Sequence, residues 1–275
     1  MTSRQGRRYD RWVSILCLVL VAGGCSGNDQ QAGLIEPLEK KHLPSLLSSG
    51  GLVLGLTSGP HTREQGASIV ELQEVDYVFY SLESGPFDIP ALETYLQGMR
   101  ERASEAALAP LPVLLRIPAL RDVGYEATRN HVQLGLAAGV DGIVFPHIST
   151  AEQAAQVVEL MGEASWPTNP SGTAVNVLLI EDIDGVANAS AIARTPGVSM
   201  VGLGPSDLRR AYDGDMDAVE RAILSVLAAC VDAGVPCSTT ADEGLLPIRL
   251  GQGFRVFTLG QAGLVHFARE LSPDQ

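Results

Sequence analysis

Short, unbroken apolar runs alternate along this chain with longer stretches in which apolar residues recur every three or four positions. The runs fall at Gly51–Leu56, Asp76–Leu82, Leu111–Ile117, Asp141–Pro146, Ala174–Glu181, Val198–Gly204, Val235–Thr239 and Phe254–Gly260. They are continuous rather than alternating, as strands covered on both faces are. Between them, Ile89–Ala107 sets Leu92, Tyr95, Leu96 and Met99 on one helical face, and Ala151–Met161 and Met216–Ala233 repeat that spacing. Thr150, followed by Glu152 and Gln153, predicts a helix-start cap. Eight such units within about 250 residues predict an α/β fold, a (β/α)8 TIM barrel, over residues 46–275. The rival is a doubly wound open sheet. It wants a glycine fingerprint after its first strand, and Leu56-Thr57-Ser58-Gly59-Pro60 is not G-x-G-x-x-G.

The N-terminal pattern is of another kind. Arg4, Arg7, Arg8 and Arg11 precede an apolar run of ten residues, Trp12–Val21, too short to cross a hydrocarbon layer of about 30 Å. Ala22-Gly23-Gly24-Cys25 then resembles a bacterial lipobox. The expectation is a lipoprotein signal peptide over 1–24, a lipidated Cys25 with a polar tether to residue 45, and export to a bacterial membrane held by the lipid anchor alone. Ser26 favours the outer membrane. The alternative is an ordinary secretory signal with a chance cysteine. In an oxidising compartment Cys230 and Cys237 become available to pair. The sequence favours two buried thiols, because a helix and the next strand of an α/β unit seldom bring Cβ atoms within about 4.5 Å.

Composition adds exclusions. The chain has 275 residues, 45% of them hydrophobic and 19% charged, enough apolar matter for a large core. Its formal net charge is −13, and removal of the arginine-rich leader would deepen it. That balance argues against nucleic acid or anionic lipid as a partner held by charge, since both need a basic face.

A barrel of this kind does chemistry at the C-terminal ends of its strands. The residues just beyond each run are therefore the candidates: His61, Glu83 and Ser84, Arg116, His147, Glu181 and Asp182, Asp207, Thr239 and Thr240. Glu181 and Asp207 follow consecutive runs. Two such carboxylates, with waters and a substrate, complete the oxygen shell of Mg²⁺ or Mn²⁺; the bland reading is a pair of solvated loop acids. Arg116 emerges directly from Val113-Leu114-Leu115, which demands an anionic partner. That partner is either a carboxylate such as Glu83 or a substrate oxygen held by the planar fork. His61 and His147 lie in loops on the active face and are candidate bases, whereas His131 and His266 fall in helices. Asp213-Gly214-Asp215-Met216-Asp217 begins like a calcium loop, but Ala218 and Leu224 stand where glycine and an acid are needed, so it reads as a solvated turn.

These residues resemble the HpcH/HpaI aldolase and citrate lyase family, metal-dependent class II pyruvate aldolases on a (β/α)8 barrel. The resemblance rests on Asp76–Glu83, Pro112–Pro118, Ala138–His147 with Thr150-Ala151-Glu152, and above all Gly204-Pro205-Ser206-Asp207-Leu208. It implies Glu181 and Asp207 as ligands of a divalent metal (Mg²⁺, Mn²⁺ or Co²⁺). Arg116 is implied on the keto oxygen of pyruvate, Glu83 beside the metal's waters, and Gly204, Pro205 and Ser206 along the oxo-acid pocket. The implied reaction is aldol cleavage of a small 2-oxo acid through the pyruvate enolate, in a homo-oligomer that is hexameric in the family.

The departures bear on activity. The family reads Glu-His where this chain reads Glu83-Ser84, and that histidine takes the substrate hydroxyl proton. Its aspartate partner falls at Ala137. A longer family segment with a Pro-Pro-x-Gly-x-Arg-Gly stretch shrinks here to Ser165–Gly172. Two expectations result. One is an active lyase in which His61 or His147 replaces the missing base; the other is an anchored pseudoenzyme that binds metal and oxo acid without turnover.

Overall fold

The computed structural model describes residues 39–272, and the leader, Cys25 and most of the expected tether lie outside them. The strands are β1 (Val53–Thr57), β2 (Tyr77–Ser81), β3 (Val113–Arg116), β4 (Gly142–Phe145), β5 (Ser165–Trp166), β6 (Ala174–Ile180), β7 (Met200–Leu203), β8 (Cys237–Thr239) and β9 (Val256–Leu259). The helices are α1 (Leu43–Ser49), α2 (Arg63–Ile69), α3 (Ile89–Ala106), α4 (Leu120–Val123), α5 (Tyr125–Ala138) and α6 (Ala151–Met161). They continue with α7 (Ile183–Ala187), α8 (Ala189–Ala193), α9 (Pro205–Ala211), α10 (Met216–Ala233), α11 (Leu246–Gln252) and α12 (Ala262–Leu271). No helix among them is long and apolar enough to cross a membrane.

Eight strands run parallel in the order β4-β3-β2-β1-β9-β8-β7-β6, and pairing of β4 with β6 closes the cylinder. Each predicted apolar run supplies one of these strands. The short β5 was not foreseen; it pairs with the start of β6 through Ser165↔Ala174 and Trp166↔Val175. Thr150 caps α6 as expected, accepting from the Gln153 N–H at 3.2 Å. Asp215, within the turn at 213–217, caps α10 by accepting from the Ala218 N–H at 3.0 Å.

Two apolar clusters divide the core. One fills the annulus between barrel and helices and includes Leu92, Tyr95, Leu96 and Met99 of α3. The other fills the barrel with Val53, Tyr77, Leu114, Val144, Val175, Val177, Leu179, Met200 and Val256, and Leu43 and Leu47 of α1 join it. α1 therefore plugs the N-terminal end of the cylinder. Inside, the Tyr77 ring lies across Gly55, where any Cβ would overlap it. Its hydroxyl donates to the Phe257 carbonyl at 3.0 Å and lies 2.8 Å from Thr258 Oγ1.

The plug is held by charge. Asp76, 5% exposed, accepts from the Leu54 N–H at 2.9 Å and pairs with Lys41 at 2.9 Å and with Arg269. Asp141 repeats the motif two strands on, accepting from the Val113 N–H at 2.8 Å and pairing with Lys40 at 2.6 Å. The tether drawn to residue 45 is corrected here: Lys40, Lys41 and Leu43 already belong to the barrel, because α1 buries its leucines in it. The expectation of two free thiols is also corrected. Gly234 ends α10 in the left-handed region at φ 67°, so β8 doubles back past the last helical turn. Cys230 and Cys237 stand with Cα atoms 5.8 Å apart, joined as a disulfide.

Candidate active site

The open, C-terminal end of the cylinder leads into a cavity of about 660 Å³. β3 carries Arg116 to its wall, β6 ends directly before Glu181, and α9 opens with Pro205, Ser206 and Asp207. Glu181 is 4% exposed. Burial, and after it the charges of Asp207 and Glu83, push its carboxyl up to about 7 against the opposing pull of the His147 N–H and Arg116. A glycine at 204 is what admits this carboxylate, since a Cβ there would overlap Glu181 Oε1.

His147 arrives from the loop after β4 with φ of 55°, a left-handed conformation that a non-glycine residue adopts at a cost. Its backbone N–H donates to Glu181 Oε2 at 3.1 Å. Nδ1 lies 3.3 Å from the same oxygen and Nε2 lies 3.7 Å from Glu83 Oε1. Nδ1 is nonetheless buried without hydrogen-bond geometry to any partner. Arg116 pairs with Glu83 at 3.0 Å, donates through Nε to Ser81 Oγ at 3.0 Å, and stacks its guanidinium 5.4 Å from the centre of the Phe79 ring. The anionic partner demanded by Arg116 is therefore Glu83 within this chain. Ser81 and Phe79, which position Arg116, were not singled out from sequence. The alternation of β2, which turns residues 77, 79 and 81 inward together, was the signal for them.

Residues 60–247 match the profile of the HpcH/HpaI aldolase/citrate lyase family. The chain belongs to that family. It is 26% identical over 202 residues to a hydroxypyruvate/pyruvate aldolase of Delftia acidovorans, covering 64% of this chain and 70% of that protein. The fold is shared with a family protein from Burkholderia cenocepacia at a TM-score of 0.68 and 22% identity, over 83% of this chain and 96% of the other. It is shared also with the CitE protein of Mycobacterium tuberculosis in complex with magnesium and pyruvate. There the TM-score is 0.59 at 18% identity, over 82% and 91% of the two chains.

The metal dependence typical of the HpcH/HpaI family fits the residues present. Glu83, His147 and Glu181 each offer one donor atom, all within 4.8 Å of one another. The carboxylates of Glu83 and buried Glu181, brought this close together, are oxygen donors suited to a hard divalent cation. Asp207 lies on the same cavity wall and pairs with Arg210.

The other sequence candidates divide. Gly204, Pro205, Ser206, Thr239 and Thr240 line the cavity. Asp182 caps α7, accepting from the Gly185 N–H at 2.7 Å. Ser84 is exposed beyond Glu83, and His61 stacks on Tyr80 with ring centres 3.8 Å apart. Tyr80 packs with the outer layer, so His61 stands outside the group of acids; burial lowers its imidazole below the ordinary value. Two departures noted from sequence also sit elsewhere than expected. α5 descends from the mouth, so Ala137, one residue from its end, lies at the closed end of the barrel. Ser165–Gly172 precedes β6 and lies at that end as well. Neither faces the mouth of its own chain.

Proposed function

We propose that this protein is a metal-dependent carbon–carbon lyase that cleaves a 4-hydroxy-2-oxo acid, or forms one, through a pyruvate enolate. The observation that carries this reading is the meeting of Glu181, Glu83 and His147 beside Arg116 at one barrel mouth. Glu181 and Asp207 are assigned as protein ligands of Mg²⁺, Mn²⁺ or Co²⁺, with Glu83 beside the ion's waters. Such an ion supplies Lewis-acid polarisation of the 2-oxo group.

Arg116 donates to the same oxo oxygen and opposes the charge that develops there, an electrostatic contribution that is usually the largest single one. Ser81, Glu83 and Phe79 hold its fork in place. His147 Nε2 is assigned as the base. It takes the proton of the C4 hydroxyl, the C3–C4 bond breaks, an aldehyde leaves, and the electron pair moves onto the oxo oxygen as enolate. Return of a proton to C3 releases pyruvate. The resemblance to a hydroxypyruvate/pyruvate aldolase supports this substrate class, as does the pyruvate bound by the CitE protein.

The test is divalent-metal-dependent pyruvate release from 4-hydroxy-2-oxo acids, lost in Glu181→Ala and Asp207→Ala. Exposed Ser84, in place of the family's histidine, favours a second reading: a pseudoenzyme that binds without turnover. Calorimetry with pyruvate or oxalate separates the two, because binding without release supports the second and absence of metal binding defeats both. Lipid anchoring at Cys25 and homo-oligomeric assembly belong to the same proposal. Their tests are palmitate labelling lost in Cys25→Ala and sedimentation of the processed chain.

A further inference from the structure

The cavity is larger than the chemistry at its mouth requires. A three-carbon oxo acid fills a small part of about 660 Å³, a volume within the ~300–1,000 Å³ of sites that enclose drug-sized molecules. The lining shows where the remaining space goes. Leu114, Val144 and Leu179 belong to the barrel interior, whereas Leu203, Val219 and Ile223 belong to the layer between barrel and helices. One cavity thus reaches both sides of the barrel wall.

The wall is weakest where this happens. β8 has three residues and pairs over two register positions with β7 and two with β9. Beyond it the lining continues past Thr239 and Thr240 to α10 and α11, where Met216 and Leu245 stand partly exposed. The charges on the far side cancel. Arg249 donates from both Nη atoms to the two Glu220 oxygens, at 2.7 Å each, and Gln252 Nε2 donates to Glu220 Oε1 at 2.7 Å. Arg209 and Asp242 add one charge of each sign to the lining, and Arg249 Nε stands buried without a partner. The branch is apolar along Leu203, Val219 and Ile223 and carries no net charge.

We propose that the branch receives an uncharged aliphatic tail, so that the preferred substrate is a 2-oxo acid extended by several carbons beyond C3. This inference rests on the oxo-acid reading of the mouth. The metal-loaded protein is titrated calorimetrically with pyruvate, 2-oxobutanoate, 2-oxopentanoate and 2-oxohexanoate. The expected gain is about fourfold in affinity per methylene, the ratio for full burial of a CH₂. Ile223→Phe, and at the exposed rim Met216→Trp, should flatten that gain and leave pyruvate binding unchanged. Pyruvate binding with no gain along the wild-type series overturns the tail site and leaves the oxo-acid reading standing. If pyruvate itself does not bind, that reading fails, and the branch is judged by saturation transfer to 1-hexanol, which needs no metal. Transfer abolished by Ile223→Phe supports the apolar branch; no transfer to the wild type overturns it.

Discussion

The two ends of the barrel carry the same kinds of side chain in opposite states. At the closed end, Asp76 and Asp141 each accept a backbone N–H and meet a lysine. At the mouth, Glu181 is as deeply buried as Asp76, yet its neighbours are two further acids and an imidazole whose Nδ1 has no partner. A satisfied buried acid stabilises a fold, whereas one crowded by like charge is kept at the expense of stability and marks a place where charge is to be received. The difference separates scaffold from chemistry without reference to any relative.

Substitutions at each end should therefore fail in different ways. The largest effect belongs to the mouth: Glu181→Ala should reduce metal-dependent turnover by about a thousandfold or more, as expected when several kcal/mol of Lewis-acid stabilisation is lost. His147→Ala should cost roughly 10²–10⁴-fold if it serves as the base. Steady-state pyruvate release measures both, and an unchanged melting temperature would keep these losses in the chemistry. Next comes Asp76→Asn at the closed end, which takes the counter-charge from Lys41 and Arg269 and leaves them backbone carbonyls alone. Denaturant unfolding should show a loss of about 3–5 kcal/mol, the usual cost of breaking a buried pair, while kcat of the folded fraction stays unchanged.

The third effect is on pH. Glu181 in the folded chain titrates near 7, above its ordinary value of 4.5. Between those values the folded state keeps a proton that the unfolded chain has released. The metal-free protein should therefore lose about 3 kcal/mol as pH rises from 4.5 through 7, and Glu181→Gln should flatten that slope in chemical unfolding. The smallest effect is at the Cys230–Cys237 disulfide, which closes a short loop of sequence separation 7. Cys230→Ser with Cys237→Ser should cost about 2 kcal/mol in the same assay, on loop entropy alone.

Much of the cylinder was legible in advance because buried parallel strands and amphipathic helices write their periods into the chain. α6 and α10 begin and end where the pattern places them. α1 escaped because seven residues with one proline carry too little periodicity to stand apart from a tether. β5 escaped because two residues have no period at all. At the mouth, strand ends nominated Arg116, Glu83 and Glu181 as candidates, and these stand close together in the structure. His147 could be named but not ranked above His61, because its approach to Glu181 spans 34 residues of sequence and depends on a single left-handed backbone turn. The disulfide was missed for a related reason: a generic helix-to-strand connection says little about one that reverses within a few residues of a left-handed glycine.

The lysine-bound plug also fixes a direction. The described chain starts at the stoppered base, where Lys40 and Lys41 dock onto Asp141 and Asp76. The acid-lined rim opens at the opposite end, so nothing docked against the base obstructs the approach to Glu181.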